Sequence, residues 1–173
     1  MVELEAPQEV YIEPEVPGIR GYLGRFRQSF VEALTENEGQ GITGTDLLCD
    51  LLEAVCPEMV LDGVFGEDGR FWVMDGIERE TFVTGGSGPP LRERKLQVEG
   101  LVERLNRAWE TSALSKLGMG GEHPPFASVP CSATDDPDEA QMVLRTLSLE
   151  GYPGARVAHP EARYSYPRWK VSG

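Results

Sequence analysis

The chain has 173 residues, which suits one domain or one domain with a small appendage. Hydrophobic residues make up 40% and charged residues 26%, so the composition is that of a globular protein and excludes a disordered one. The net charge of −13 predicts a surface that mostly repels nucleic acid and anionic membranes.

The sequence contains neither an apolar run long enough to cross a bilayer nor an N-terminal signal peptide. We therefore expect a soluble cytoplasmic protein that does not contact membranes, with a virion component as the alternative location. Three cysteines without a CxxC pair indicate reduced thiols, and no motif points to a cofactor or a metal site.

Residues 1–18 alternate between apolar side chains on even positions and glutamates on odd positions. This period of two is typical of a half-buried strand. Prolines at positions 7, 14 and 17 lack the backbone donor, which disfavours a central strand. The pattern predicts an extended arm over residues 1–20, laid on a sheet edge or a surface, and a single α+β domain over residues 21–173. A Gly/Pro linker at residues 85–90 is a candidate subdivision.

Two helices are predicted next, as a helical hairpin. Apolar residues recur at helical spacing from Gly21 to about Glu36, and again from Thr43 or Thr45 to the residues before Pro57. Residues 59–84 then predict a β-meander, because Asp-Gly pairs at 62–63, 68–69 and 75–76 favour tight turns. Its strands are expected at residues 70–74 and 81–83.

The remainder predicts a long amphipathic helix followed by a β-α-β-β unit. The helix is expected over residues 91–116 with Gly118 as its C-cap, and its inward side chains are Leu96, Val98, Leu101, Val102, Leu105 and Trp109. A strand at 126–131 precedes a helix that begins at the N-cap Asp136 and ends near Glu150. Two strands follow, at 155–158 and 164–171. The predicted class is α+β.

Scans for catalytic residues find few candidates. His123 and His159 each precede a proline and have no partner at a fixed spacing, so a dyad with Cys131 depends on the fold. The acidic cluster at residues 135–139 is explained by helix capping. The glycine-rich stretches lack the residues of a phosphate loop.

The last predicted strand carries Tyr164, Tyr166, Arg168 and Lys170 on one parity, with Trp169 and Val171 on the other. Such a stripe can stack bases and neutralise phosphates. It is also typical of a solvated edge strand, or of a surface that complements the acidic arm.

The resulting hypothesis is a non-catalytic interaction and assembly protein, a subunit or accessory factor of a larger bacterial or viral complex. Protein partners, or a second copy of the chain, would bind through the arm and the last strand. The expected contact residues are Val10, Tyr11, Ile12, Tyr164, Tyr166, Arg168 and Lys170. One alternative is a regulator that contacts nucleic acid, through the last strand, or a nucleic-acid enzyme. Another is a small enzyme with a dispersed Cys/His site.

Overall fold

A computed structural model describes residues 8–112, 123–167 and 169–170. These residues form two sheets and four helices, which confirms the predicted α+β class. The strands are β1 (Val10–Pro14), β2 (Gly18–Gly24), β3 (Glu32–Thr35), β4 (Met59–Gly66), β5 (Phe71–Glu78), β6 (Phe126–Ser128), β7 (Ser132–Thr134) and β8 (Ala155–Ala158). The helices are α1 (Asp46–Val55), α2 (Arg79–Thr84), α3 (Leu91–Glu110) and α4 (Pro137–Leu149).

The large sheet has the strand order β3-β2-β4-β5-β6, with β5 and β6 parallel and the other pairs antiparallel. The predicted hairpin between β4 and β5 is confirmed, and its turn contains Gly69 with φ +82°. The other two Asp-Gly pairs do not form turns. Asp62 and Asp75 lie opposite each other inside β4 and β5 with their side chains buried, which sequence alone does not reveal.

One face of the large sheet carries the main hydrophobic core, under α1 and α3. The core includes buried residues from the sheet and both helices, among them Leu23, Leu61, Phe65, Phe71, Leu48, Leu52, Val98, Leu101 and Leu105. Both helices were predicted from their apolar stripes. The inward placement of Leu96 is wrong, since its side chain is 66% exposed. The predicted extension of α3 to residue 116 and the Gly118 cap lie outside the described residues.

The helix predicted over residues 21–36 is wrong, and so is the helical hairpin. This segment forms β2 and β3, in which Leu23 pairs with Ala33. Tyr22 and Leu23 are both buried because elements pack on both faces of the sheet, so β2 shows no alternation. The strand predicted at residues 81–83 is also wrong, because these residues belong to the short helix α2.

The small sheet has the order β7-β1-β8, so β1 is its central strand. This corrects the expectation that the prolines exclude a central position. Pro14 is the last residue of β1 and Pro17 lies between β1 and β2, so neither interrupts the ladder. The helix α4 packs on this sheet, and the predicted cap is confirmed: the Asp138 amide donates to Asp136 Oδ1 at 2.9 Å.

The predicted strand over residues 164–171 is wrong in its described part, since residues 164–167 have no regular structure and residues 169–170 are helical. Tyr164 is buried, and the Tyr166 hydroxyl donates to the Thr81 carbonyl at 3.0 Å. Their rings join an aromatic cluster that includes Phe82 and Trp169. Burial of aromatic area therefore holds this segment against α2 and the sheet. The division into residues 1–20 and 21–173, with its subdivision at 85–90, stays a prediction.

None of the helices in the described ranges is both long enough and apolar enough to cross a membrane.

We expect Arg94→Ala to lower the free energy of unfolding by about 3–5 kcal/mol, because it leaves a buried carboxylate without its partner. Arg94 is 1% exposed; its Nε donates to Asp75 Oδ1 at 2.8 Å and its Nη1 to the Ala162 carbonyl at 2.9 Å. Urea denaturation measures the loss.

Arg92→Ala is the matched control on the same helix. The Arg92 side chain is 51% exposed and pairs with Glu9 at 3.2 Å, so its removal should cost less than about 1 kcal/mol. If the two variants lower the free energy of unfolding equally, the ion pair between Arg94 and Asp75 does not stabilise the fold by the expected amount.

Candidate functional site

Two of the cavities bordered by described residues lie where the small sheet meets the large one. The larger, of about 400 Å³, is bordered by α3, β5 and residues near β1 and β7. Its cations are already paired: Lys95 Nζ lies 2.5 Å from the buried Glu13 carboxylate, and Arg92 contacts Glu9. These ion pairs neutralise the positive charge that would attract an anionic ligand.

The second cavity, of about 380 Å³, is the candidate site and is called the cleft below. It takes residues from the end of β1 and from β8 on one side, and from β2, β4 and β5 on the other. Its lining is Pro14, Glu15, Val16, Gly18, Arg20, Glu36, Val64, Met74, Ala155 and Arg156. Four charged side chains therefore meet over an apolar floor, which is the usual make-up of a small-ligand site.

Arg20 is fixed in the cleft by β2. Its Nη2 lies 2.7 Å from Asp62 Oδ1 on β4, and its carbonyl accepts a hydrogen bond from the Glu36 amide at 3.1 Å. Gly18 allows β2 to begin this close to β4: its φ is +147°, and a Cβ there would lie 2.3 Å from the Phe65 carbonyl oxygen. The arginine therefore sits on a rigid strand with its guanidinium oriented by a carboxylate.

Asp62 is 3% exposed. Burial raises its pKa from 3.8 to about 7; the Arg20 guanidinium opposes the shift and the nearby Asp75 carboxylate adds to it. The carboxyl group beneath the cleft thus titrates near neutral pH although it pairs with an arginine.

Arg156 approaches from the other side, on the edge strand β8, and is half-buried. Its positive charge acts to lower the pKa of Asp62, and it lines the same cavity as Arg20, the ion-pair partner of Asp62. Among the described residues the Arg156 side chain forms no ion pair or hydrogen bond. Glu15 is held beside this strand because its amide donates to the Gly154 carbonyl at 2.9 Å.

The arrangement suits the binding of a phosphate group. Two guanidiniums from different sheets face one cavity, and arginine presents paired donors that match phosphate oxygens. The described lining contains no lysine, cysteine, histidine, serine, threonine or tyrosine, so it offers no amine, thiol, imidazole or hydroxyl as a nucleophile. Nor do the described residues contain a group of three His, Cys, Asp or Glu side chains placed to hold a metal ion.

The contact residues predicted from sequence do not lie in the cleft. Val10, Tyr11 and Ile12 belong to β1, where Tyr11 and Ile12 are buried. Tyr164 and Tyr166 pack in the aromatic cluster, Lys170 Nζ donates to the Val83 carbonyl at 3.2 Å, and Arg168 lies outside the described residues. Their role in binding a partner stays a prediction.

The contacts of the described residues do not bring the cysteine and histidines of the candidate Cys/His site together. Cys131 lines the larger cavity, whereas His159 Nε2 lies 3.2 Å from Gln8 Oε1 on the surface. No hydrogen bond joins Cys131 to His123 or His159 in the described part of the chain. Burial also raises the pKa of the Cys131 thiol, which lowers its reactivity at neutral pH.

Sequence reasoning missed Arg20, Asp62 and Arg156. One signal was available for Asp62, since a single acid stands inside the apolar run of β4. Charges within buried strands are rare unless they are paired, so its position indicated an ion pair with a cation elsewhere in the chain. Arg20 and Arg156 carried no such signal, because they are 136 positions apart in sequence and meet only through the fold.

Comparison with solved structures identifies the architecture. The structure named Pmar-Lig_Pre aligns with 92% of this chain at a TM-score of 0.67 and 20% identity. The ATP-dependent DNA ligase from bacteriophage T7 in complex with ATP aligns with 92% at 0.60 and 13%. An archaeal ATP-dependent RNA ligase aligns with 92% at 0.54 and 17%. The chain has a ligase-like fold.

This likeness concerns the fold alone, because every identity is low. The chain spans 40% of the length of Pmar-Lig_Pre and 59% of that of the phage ligase. No family model matches the sequence. No curated protein matches it either.

The ligase-like fold corrects the hypothesis drawn from sequence. The prediction of a non-catalytic structural, virion or assembly protein is wrong, and so is the prediction that the chain is not an enzyme, because its structural neighbours are DNA and RNA ligases. The expectation that nucleic acid is an unlikely partner is not supported by this comparison, since these solved structures are named as DNA and RNA ligases. The alternative, a protein that contacts nucleic acid or a nucleic-acid enzyme, agrees better with these neighbours.

We expect Asp62→Asn to change how stability depends on pH. The folded pKa of about 7 lies above the ordinary 3.8, so between these values only the folded state holds the proton. Protonation of Asp62 in the folded state therefore adds to the free energy of unfolding. This stabilisation is fully present below the unfolded pKa and is lost as pH rises through the folded pKa, by up to about 1.4 kcal/mol per pH unit.

The advantage of the wild type over Asp62→Asn should therefore shrink as pH rises from about 5 to about 7, and urea denaturation at several pH values measures it. Asparagine has nearly the same shape as aspartate and keeps an oxygen that can accept a hydrogen bond from Arg20, so the variant removes the titration and little else. A difference that is constant with pH would mean that Asp62 does not titrate in this range.

Proposed function

We propose that this chain takes part in nucleic-acid end chemistry by binding a nucleoside phosphate in the cleft, either as a free nucleotide or at the end of a strand. The observation that carries the proposal is the convergence of Arg20 and Arg156, from two different sheets, on one cavity. The proposal is supported by the fold, which resembles that of an ATP-dependent DNA ligase in complex with ATP.

The two arginines have complementary parts. Arg20 is held by Asp62 and keeps a fixed orientation, whereas the Arg156 guanidinium has no ionic partner among the described residues. A half-buried cation with free donors is stabilised by an anion that fills them. The phosphate would therefore bind between the sheets, with Arg156 as the stronger contributor.

Charge favours a small ligand over a long duplex. The chain carries −13 overall, and Glu15 and Glu36 line the cleft beside the arginines. A polyanion that crosses the surface meets mostly repulsion. A nucleotide or a strand end places only a few phosphates near the two guanidiniums. Because the described lining offers no amine or hydroxyl nucleophile, the proposed binding is non-covalent.

Two further predictions from sequence remain proposals beside this one. The cytoplasmic location is one. The other is a protein partner or a second copy that binds through the N-terminal arm, residues 1–20.

Isothermal titration of the full chain with ATP tests the proposal. We expect measurable binding, and about a tenfold or greater loss of affinity in Arg156→Ala, because a charge-assisted hydrogen bond contributes about 1.5–3 kcal/mol. Arg145→Ala, on the exposed surface of α4, is the control and should bind like the wild type.

A second titration separates the two sources of the phosphate. An oligonucleotide with a 5′-phosphate and the same strand with a 5′-hydroxyl differ only at the end, so a preference for the first indicates recognition of a strand end. Absence of binding for both ATP and the phosphorylated strand, or unchanged affinity in Arg156→Ala, would refute the proposal.

A further inference from the structure

Arg20 has two roles, because it lines the cleft and is also the counter-ion of a buried acid. Its Nε donates to Asp62 Oδ1 at 3.0 Å, and its Nη2 lies 2.7 Å from the same oxygen. The Arg20 side chain is 29% exposed, and its Nη1 donates no hydrogen bond within the described part of the chain. One guanidinium is therefore shared between Asp62 and any anion that enters the cleft.

The two buried carboxylates of β4 and β5 are hydrogen-bonded unequally. Asp75 accepts hydrogen bonds from Arg94 Nε and the Gly76 amide, each at 2.8 Å, and from Arg94 Nη2 at 3.1 Å. The contacts of Asp62 with Arg20 reach Oδ1, and no hydrogen bond among the described residues reaches Asp62 Oδ2. Hydrogen bonds to the charged form keep a carboxylate ionised, so Asp62 is the member of the pair that takes up a proton more readily.

The surroundings of Asp62 contain no other group that exchanges a proton so easily. The charged and titratable groups around it lie on β2, β5, α3, β8 and the segment after β8, and they are Arg20, Tyr22, Asp75, Arg94, Arg156 and Tyr164. Burial raises the pKa of both tyrosines above the ordinary 10, so they keep their protons near neutral pH. The arginines keep their charges. Glu15 and Glu36 line the cleft itself.

The charges that keep Asp62 ionised are the two that would bind the phosphate. Burial raises the pKa of Asp62 to about 7 and the Asp75 carboxylate adds to the shift, whereas the Arg20 and Arg156 guanidiniums act to lower it. Both arginines line the cleft. A phosphate between them would offset their charge and compete with Asp62 for the Arg20 donors. The ionised form of Asp62 would therefore be less stable in the complex than in the free protein.

We propose that phosphate binding in the cleft is coupled to the uptake of one proton by Asp62, so that the protein binds its ligand more tightly at lower pH. The proton comes from solvent, and the neutral carboxyl group leaves the Arg20 donors to the phosphate. This inference rests on the proposed function, since it takes the phosphate to lie between Arg20 and Arg156.

The direction of the effect follows from the linkage between proton and ligand. In the free protein Asp62 loses its proton as pH rises through its pKa of about 7, and in the complex it should hold the proton to a higher pH. The affinity should therefore be highest below about pH 7 and fall above it, by up to about tenfold per pH unit.

Isothermal titration of the full chain with ATP tests the coupling. At about pH 8 ATP is almost fully ionised, since a terminal phosphate has its second pKa near 6, so a proton taken up on binding must enter the protein. Two buffers with different heats of ionisation give the number of protons. We expect uptake by the wild type and none by Asp62→Asn, which cannot titrate.

The affinity of the wild type relative to Asp62→Asn should also fall at least about threefold between about pH 6 and pH 8.5. This ratio removes the titration of ATP, which is common to both proteins. Tyr164→Phe keeps an aromatic ring beside the same carboxylates, and it should take up the proton as the wild type does.

If the wild type binds ATP without taking up a proton, or if Asp62→Asn takes up the proton equally, the coupling is wrong while the proposed function stands. The proton count of the wild type needs no variant, so an absence of uptake refutes the coupling even if Asp62→Asn does not fold. If the wild type binds no ATP at any of these pH values, the proposed function fails together with the coupling.

Discussion

Two buried carboxylates on neighbouring strands are the constraint around which this molecule is organised. Asp62 and Asp75 lie opposite each other in the register of β4 and β5, and both are nearly inaccessible to solvent. Like charges this close destabilise each other, and each has an arginine as its counter-ion. Arg20 reaches Asp62 from β2, and Arg94 reaches Asp75 from α3. The two ion pairs neutralise the carboxylates at the centre of the sheet, and they join β4 to β2 and β5 to α3.

The second pair extends this constraint to the C-terminal segment. The Arg94 guanidinium also donates to the Ala162 carbonyl at 2.9 Å and lies 5.8 Å from the Tyr164 ring centroid. Tyr164 in turn packs on Phe82, whose ring also contacts Tyr166. A helix, the sheet and an irregular segment therefore meet at one buried cation, which explains why residues near 164 pack inward and do not form the strand that their alternation predicts.

The first pair determines the candidate site. Arg20 is oriented by Asp62, so one wall of the cleft is rigid, while Arg156 on the opposite wall has no ionic partner among the described residues. This asymmetry is what distinguishes the cleft from the larger cavity, where Lys95 and Arg92 already pair with glutamates. If volume alone were used, the larger cavity and not the cleft would be the candidate site.

The accuracy of the sequence analysis follows from how local each feature is. Helices α1, α3 and α4 and the β4–β5 hairpin depend on apolar stripes, a cap and a turn glycine, all of which lie within a few residues, and they were predicted. The sequence of β2 predicts a helix because Tyr22 and Leu23, on opposite faces of the strand, are both buried and both apolar, which removes the alternation typical of a strand. The cleft was not predicted at all, since its arginines meet only when β8 returns to pair with β1. Only the comparison with solved structures identifies the ligase-like fold.

The pairing of β8 with β1 also determines which side chains border the cleft. It places Ala155 and Arg156 at one cavity with Val64 and Met74 of the large sheet. The net charge of −13 opposes the binding of a long polyanion over most of the surface, and the two arginines of the cleft are a local exception.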